Sequence, residues 1–131
     1  KETDTMALKG FIVDDDETII EFMSLMLETA GYDVSSSMAG AEALPQIVAQ
    51  KPDCILTDLM MAELDGLQLC QEIRGRSLSP NPVVIVVSAR DHPYWMERAR
   101  EAGADGYLTK PLAVETFVEK IEAIMTDTKR T

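Results

Sequence analysis

Four apolar runs in this chain each end in polar groups suited to phosphate chemistry. The run Cys54-Ile55-Leu56-Thr57 stops at Asp58, Phe11-Ile12-Val13 at Asp14 and Asp15, the run 83–87 at Ser88, and Tyr107-Leu108-Thr109 at Lys110. Brought together, the carboxylates repel: two unit charges about 5 Å apart cost about 3 kcal/mol at an effective dielectric of about 20. A divalent cation relieves that repulsion. Mg²⁺ takes hard oxygen ligands, uses one or two carboxylates, and keeps waters that substrate oxygens can replace. With Mg²⁺ and the Lys110 ammonium beside it, Asp58 can act as a nucleophile toward phosphorus and form an aspartyl phosphate. Metal and ammonium each neutralise charge on a transferring phosphoryl oxygen, and the Ser88 hydroxyl can donate to a third. Singly, each residue has an ordinary reading, since an aspartate at a strand end often caps the next helix. Four complementary strand ends point to one site.

To meet, these runs must be parallel strands of one sheet. Short apolar runs read as strands buried on both faces, expected at 10–13, 32–36 (weak, at an edge), 53–57, 83–87 and 106–109. Helices alternate with them. In the first, Ile19, Ile20, Met23, Met26, Leu27 and Ala30 form a 3.6-period stripe, with Asp16 or Glu17 at its start and Gly31 just past its end. The second, 39–50, turns Ala43, Leu44, Ile47 and Val48 inward. Pro45 inside it predicts a kink or a shortened helix, because proline removes a hydrogen bond and crowds the preceding turn. The third, 66–74, carries Leu67, Leu69, Cys70 and Ile73 and closes at Gly75, and the fourth, 93–102, stops at Gly103. Val114, Phe117, Val118, Ile121, Ile124 and Met125 define the last. This alternation predicts an α/β fold: a five-stranded parallel sheet, right-handed crossovers, and five helices on both faces. Asp58 and its companions then share the carboxyl-end rim, where open α/β sheets place their chemistry. One domain is expected over 10–126, with a flexible N-terminal segment 1–9 and a C-terminal tail 127–131.

The chain has 131 residues, 46% of them hydrophobic, and a formal charge of −11. A domain this acidic, without a Lys/Arg stripe, is not expected to bind nucleic acid through its phosphates. No apolar run is long enough for a membrane span and no signal peptide is visible, so a cytoplasmic location is expected. The chain reads as a piece of something longer. Cys54 and Cys70 fall in a strand and on a helix's apolar face, as reduced core residues. His92 is the only histidine, expected at the surface near the fourth helix. Tyr94 and Trp95 suit packing or a helix-start anchor better than a partner-binding face. Most of the eight methionines stand at helical core spacing, with Met60 and Met61 as loop exceptions.

From residue 10 to about 125 the chain resembles the response-regulator receiver domains of two-component signalling. The paired acidic residues after the first strand fall on Asp14 and Asp15, the phosphoacceptor on Asp58 and the switch hydroxyl on Ser88, followed by Ala89. The Lys-Pro pair, commonly joined by a cis bond in the family, falls on Lys110-Pro111, and the switch aromatic on Tyr107. The resemblance implies strand order 2-1-3-4-5 and a Mg²⁺ site: Asp15 and Asp58 bind directly, Asp14 through water, and the Met60 backbone carbonyl adds a ligand. It implies a phosphorylation-activated switch with self-catalysed transfer and slow autodephosphorylation, not an enzyme with a separate substrate. The phosphoryl donor would be a sensor histidine kinase or a histidine phosphotransfer protein, docking near the first helix. Phosphorylation adds roughly −2 charge at Asp58, which Ser88 and Lys110 move to meet. Tyr107 then turns inward behind Ser88 and reshapes the surface of the fourth helix, fifth strand and fifth helix. An output domain outside this chain and a phosphorylation-dependent dimer are compatible with the family. Two departures stand out: Ala62 occupies a loop position where many members carry proline, and the hydroxyl is Ser, not the commoner Thr. Met60 and Arg90, two residues beyond Asp58 and Ser88, resemble positions that tune phosphate lifetime.

Two rivals remain. The stretch 11–20, Phe-Ile-Val-Asp-Asp-Asp-Glu-Thr-Ile-Ile, resembles the DxDx[TV] motif of haloacid-dehalogenase phosphatases, with Asp14 as nucleophile and Asp16 as acid/base. That family needs a later acidic motif, and after Lys110 only Glu115, Glu119 and Glu122 on a helix's polar face are on offer. The other rival is a receiver-like interaction module that is never phosphorylated.

Overall fold

β1 (Lys9–Val13), β2 (Asp33–Ser37), β3 (Cys54–Thr57), β4 (Val83–Ser88) and β5 (Gly106–Thr109) form one parallel sheet in the order β2-β1-β3-β4-β5. α1 (Glu17–Thr29), α2 (Gly40–Gln50), α3 (Gly66–Gly75), α4 (Pro93–Ala102) and α5 (Phe117–Thr128) alternate with the strands. The computed structural model describes residues 7–128. The expected fold class and strand order are those found.

Strands without alternating polarity must be covered twice, and they are. On one face Ile12, Leu56, Ile85 and Val87 pack with Ile20, Met23 and Leu27 of α1 and Phe117 and Ile121 of α5. On the other, Phe11, Val13, Ile55 and Val84 meet Ala43 and Ile47 of α2 and Leu69, Cys70 and Ile73 of α3. A third cluster, Leu59, Val86 and Ala99, seats α4, with Trp95 and Tyr107 packed against it. The Ser-rich β2 lacks apolar side chains for two buried faces and takes the edge. Cys54 and Cys70 are buried free thiols on opposite faces.

Helix ends follow local chemistry. Asp16 accepts from the Thr18 amide to start α1, and Asp65 forms a reciprocal capping box with Gln68 at α3. His92 caps α4 through Nδ1, which accepts from the Tyr94 amide. Gly31 and Gly103 take left-handed φ values where α1 and α4 stop.

Several expectations need correction. Lys9, placed in the flexible segment, begins β1, while residues 1–6 lie outside the described ones. α5 runs through Asp127 and Thr128 of the expected tail, and residues 129–131 are outside the described ones. Pro45 does not shorten α2: it and Ala41, whose carbonyl loses its partner, both face water, which solvates the freed group. Val114 lies before α5 and is 57% exposed, in a turn where the Phe117 amide donates to the Ala113 carbonyl. Met23 alone of the described methionines is fully buried, and Met38 and Met96 are exposed.

Candidate phosphoacceptor site and metal centre

Pairing of Val13 with Thr57 sets Asp14 and Asp58 one residue beyond matched positions on neighbouring strands. The strand order reverses between these two strands, which opens a crevice at the carboxyl rim. Asp14 is fully buried. Its amide donates to the Ser37 carbonyl at 3.2 Å, its Oδ1 accepts from the Asp16 amide at 2.9 Å, and its Oδ2 accepts from Lys110 Nζ at 3.0 Å. Asp15 is exposed.

Asp58 is 9% exposed. Its amide donates to the Val13 carbonyl at 2.8 Å, and its own carbonyl accepts from Thr57 Oγ1 at 3.0 Å. Its Oδ1 accepts from the Leu59 amide at 2.8 Å and stands 3.6 Å from Lys110 Nζ. Oδ2 accepts no hydrogen bond among the described residues and remains available at the rim. Burial first, then the Asp14 charge, raise the Asp58 carboxyl from an ordinary 3.8 to about 6, against the opposing pull of Lys110 and the Leu59 amide. At Lys110 burial works the other way, but the hydrogen bond it donates to Asp14 and the charge of Asp58 outweigh it and raise the ammonium's pKa. Lys110, expected as the cation of Asp58, sits nearer Asp14.

Carboxylate oxygens of Asp14, Asp15 and Asp58 lie within 4.8 Å of one another. Three hard oxygens so close, with one ammonium between two of them, leave a deficit of positive charge that a divalent cation fits. Ser88 is 2% exposed, and its hydroxyl oxygen accepts from the Arg90 amide at 3.1 Å. The Ser88 carbonyl also accepts from the Lys110 amide at 2.8 Å, which ties β4 to the lysine. Lys110-Pro111 is cis, as expected, and Ser79-Pro80 is a second cis bond that sequence reasoning missed. Tyr107 is half-buried and its hydroxyl donates to the Arg90 carbonyl at 2.7 Å, with burial raising its pKa. Met60, beside Asp58, is 46% exposed in the loop that follows.

The seven candidate residues thus come from the carboxyl ends of β1, β3, β4 and β5 and the segments after them, and all stand at the same rim of the sheet. Sequence reasoning missed the backbone side of the site: the Leu59 amide on Asp58 and the close approach of Gly66, where an added Cβ would lie 2.1 Å from the Asp58 carbonyl oxygen. The Asp65-Gly66 pair was the available signal, but it reads as a turn. His92, a helix cap, joins no metal cluster among the described residues. The phosphatase alternative is disfavoured because Asp14 is buried with both oxygens engaged, whereas Asp58 offers a free one.

The family model for the response regulator receiver domain matches residues 11–122. The response regulator MprA of Mycobacterium tuberculosis is 36% identical over 124 residues, covering 95% of this chain and 53% of that protein. The alkaline phosphatase synthesis transcriptional regulatory protein PhoP of Bacillus subtilis is 34% identical over 120 residues, covering 92% and 49%. The chain spans about half the length of these curated relatives. A putative response regulator from Chloroflexus aurantiacus has a solved structure with TM-score 0.85 and 32% identity, covering 92% of this chain and 98% of that one. Matched over most of its length by the family model and by relatives above 30% identity, the chain belongs to the response regulator receiver domains.

Proposed function

We propose that residues 10–126, with Lys9 and the end of α5, act as a phosphorylation switch in which Asp58 is the phosphoacceptor. The carrying observation is the free Asp58 Oδ2 at a rim where Asp14, Asp15 and Lys110 converge. Asp14, Asp15, Asp58 and the Met60 carbonyl would hold Mg²⁺, which supplies positive charge for the phosphoryl oxygens. Asp58 Oδ2 attacks the phosphorus of a phosphohistidine, the new O–P bond forms as the P–N bond breaks, and the imidazole leaves with its electron pair. Lys110 balances the added charge, and Ser88 turns its hydroxyl proton toward a phosphoryl oxygen. Ser88 then gives up its contact with the Arg90 amide, Tyr107 releases the Arg90 carbonyl and turns inward, and the surface of α4, β5 and α5 changes. The donor is a histidine kinase or a phosphotransfer protein in the cytoplasm, and the changed surface acts on an output domain outside this chain or on a downstream partner.

Intact-mass spectrometry after incubation with a small phosphodonor tests this reading. A Mg²⁺-dependent gain of one phosphoryl group is expected, absent in Asp58→Asn and retained in part in Asp14→Asn. Retention in Asp58→Asn with loss in Asp14→Asn would move the chemistry to β1. No gain in any protein would leave an interaction module.

A further inference from the structure

The loop 59–65, which joins Asp58 to α3, is gripped by two helix starts. Inside it, Leu59 is buried, its amide donates to Asp58 Oδ1 at 2.8 Å, and its carbonyl accepts from the Gly66 amide at 2.9 Å. Glu63 takes a left-handed φ of 66°, and Ala62 has no ring to fix its own φ. Gly66, the first residue of α3, presses on the Asp58 carbonyl from one side. From the other comes Gly40, the first residue of α2. A Cβ there would lie 2.2 Å from the Leu64 carbonyl oxygen and 3.4 Å from Leu64 Cβ. α2 has no side-chain cap at Ala39. Its start is held instead by Ser37, whose Oγ donates to the Ala39 carbonyl and accepts from the Ala39 amide.

We propose that Gly40 is a positioning residue for the phosphoacceptor loop: its missing side chain lets α2 seat directly on Leu64 and so fixes where Asp58 and the Met60 carbonyl stand. Restoring ordinary contact around an added methyl requires the Leu64 carbonyl to move by about 1 Å. Gly66 holds the far end of the loop and Leu64 is packed under α2 and α3, so the movement passes back toward residues 59–63. Metal–ligand distances in a well-formed site hold to within about 0.2 Å, so a shift of Asp58 or of the Met60 carbonyl weakens Mg²⁺ binding. This inference rests on the reading of Asp58 as the phosphoacceptor, and its test carries a readout that needs neither metal nor phosphate.

Gly40→Ala is compared with Gly75→Ala, a site with no atom within 4 Å of an added Cβ and no left-handed φ. Amide exchange at Leu59 in metal-free protein and Mg²⁺ affinity by calorimetry are measured in both. In Gly40→Ala, exchange at Leu59 is expected to rise about tenfold and Mg²⁺ affinity to fall about tenfold, while Gly75→Ala leaves both unchanged. Unchanged exchange and affinity in Gly40→Ala overturn the proposal. Should wild type bind no Mg²⁺ and take no phosphoryl group, the functional reading fails while Leu59 exchange still judges the clamp. Should Gly40→Ala fail to fold, Glu63→Gly decides: a loop held from outside keeps its Mg²⁺ affinity within about threefold when its own backbone is freed. A loop held by its own backbone loses about tenfold, which sinks the proposal.

Discussion

Among the described residues, Lys110 is the one cation set among the site's carboxylates, and its geometry decides what its loss does. Its Nζ lies 3.0 Å from Asp14 and 3.6 Å from Asp58, with the side chain 18% exposed. Truncating one partner of a part-buried pair leaves the other charge uncompensated, which costs more than the pair itself contributes. Lys110→Met is therefore expected to lower stability by about 2–3 kcal/mol at pH 7, read by urea unfolding with Trp95 fluorescence, and to slow phosphorylation by about a hundredfold. Mg²⁺ should recover part of the stability but little of the rate, because it supplies charge without the ammonium's hydrogen bond. A variant as stable and as fast as wild type would remove Lys110 from the site. At this scale the side chains were legible in the sequence, since strand-end polar residues stand out against apolar runs. Their rank was not: nothing in the order of residues says that Lys110 reaches Asp14 first, or that the Leu59 amide occupies one Asp58 oxygen.

Elements were legible where pattern and punctuation agree. α4 opens on Pro93 and stops at Gly103, and five β-branched residues leave little choice for β4. They were less legible where an element owes its bounds to neighbours. Val114 continues the spacing of α5 but is left in water by the turn before Phe117, and Pro45 is tolerated because its side of α2 is solvated. Arg74 carries no signal at all in the sequence, yet it ties three segments. Its Nε donates to the Gly103 carbonyl at 2.9 Å, and Nη1 donates to Asn81 Oδ1 and the Pro82 carbonyl at 2.8 Å. Nη2 donates at 2.8 Å to Asp105 Oδ2, which also accepts from the Val84 amide. An ammonium has too few donors in the wrong plane to replace that fork. Arg74→Lys is expected to cost about 1–2 kcal/mol, and Arg74→Ala about 2–3 kcal/mol, less than full burial would give because the pair is 23% exposed. Hydrogen exchange should rise at Val84 and Ala104 with Mg²⁺ affinity unchanged, since the knot lies at the amino end of the sheet. A loss of Mg²⁺ affinity in Arg74→Lys would show the two ends of the sheet to be coupled.

For the molecule as a whole, two buried apolar layers hold a sheet whose rim stores charge repulsion in a chain of net charge −11. The sign of that stored term follows from Asp58. Its carboxyl titrates at about 6 in the fold against 3.8 ordinarily, so between those values the folded protein holds a proton that the unfolded chain has released. Its contribution to stability therefore falls as pH rises from about 4 to about 6 and stays low above that. Glu97 behaves oppositely: its hydrogen bond from Arg100 lowers its pKa, so its contribution is present at neutral pH and lost on acidification. The difference between wild type and Asp58→Asn isolates the rim from such groups. In metal-free protein at pH 7, Asp58→Asn is expected to be the more stable by about 1 kcal/mol. The gap should close toward pH 4.5, where Asp58 is protonated in the fold. Saturating Mg²⁺ at pH 7 should reverse the order, because the ion binds the ionised carboxylate of the wild type and stabilises only what it binds. Urea midpoints at the two pH values, with and without Mg²⁺, measure all of this. A gap independent of pH would mean that Asp58 carries no penalty in the fold, and an order untouched by Mg²⁺ would mean that the ion does not answer the repulsion at the rim.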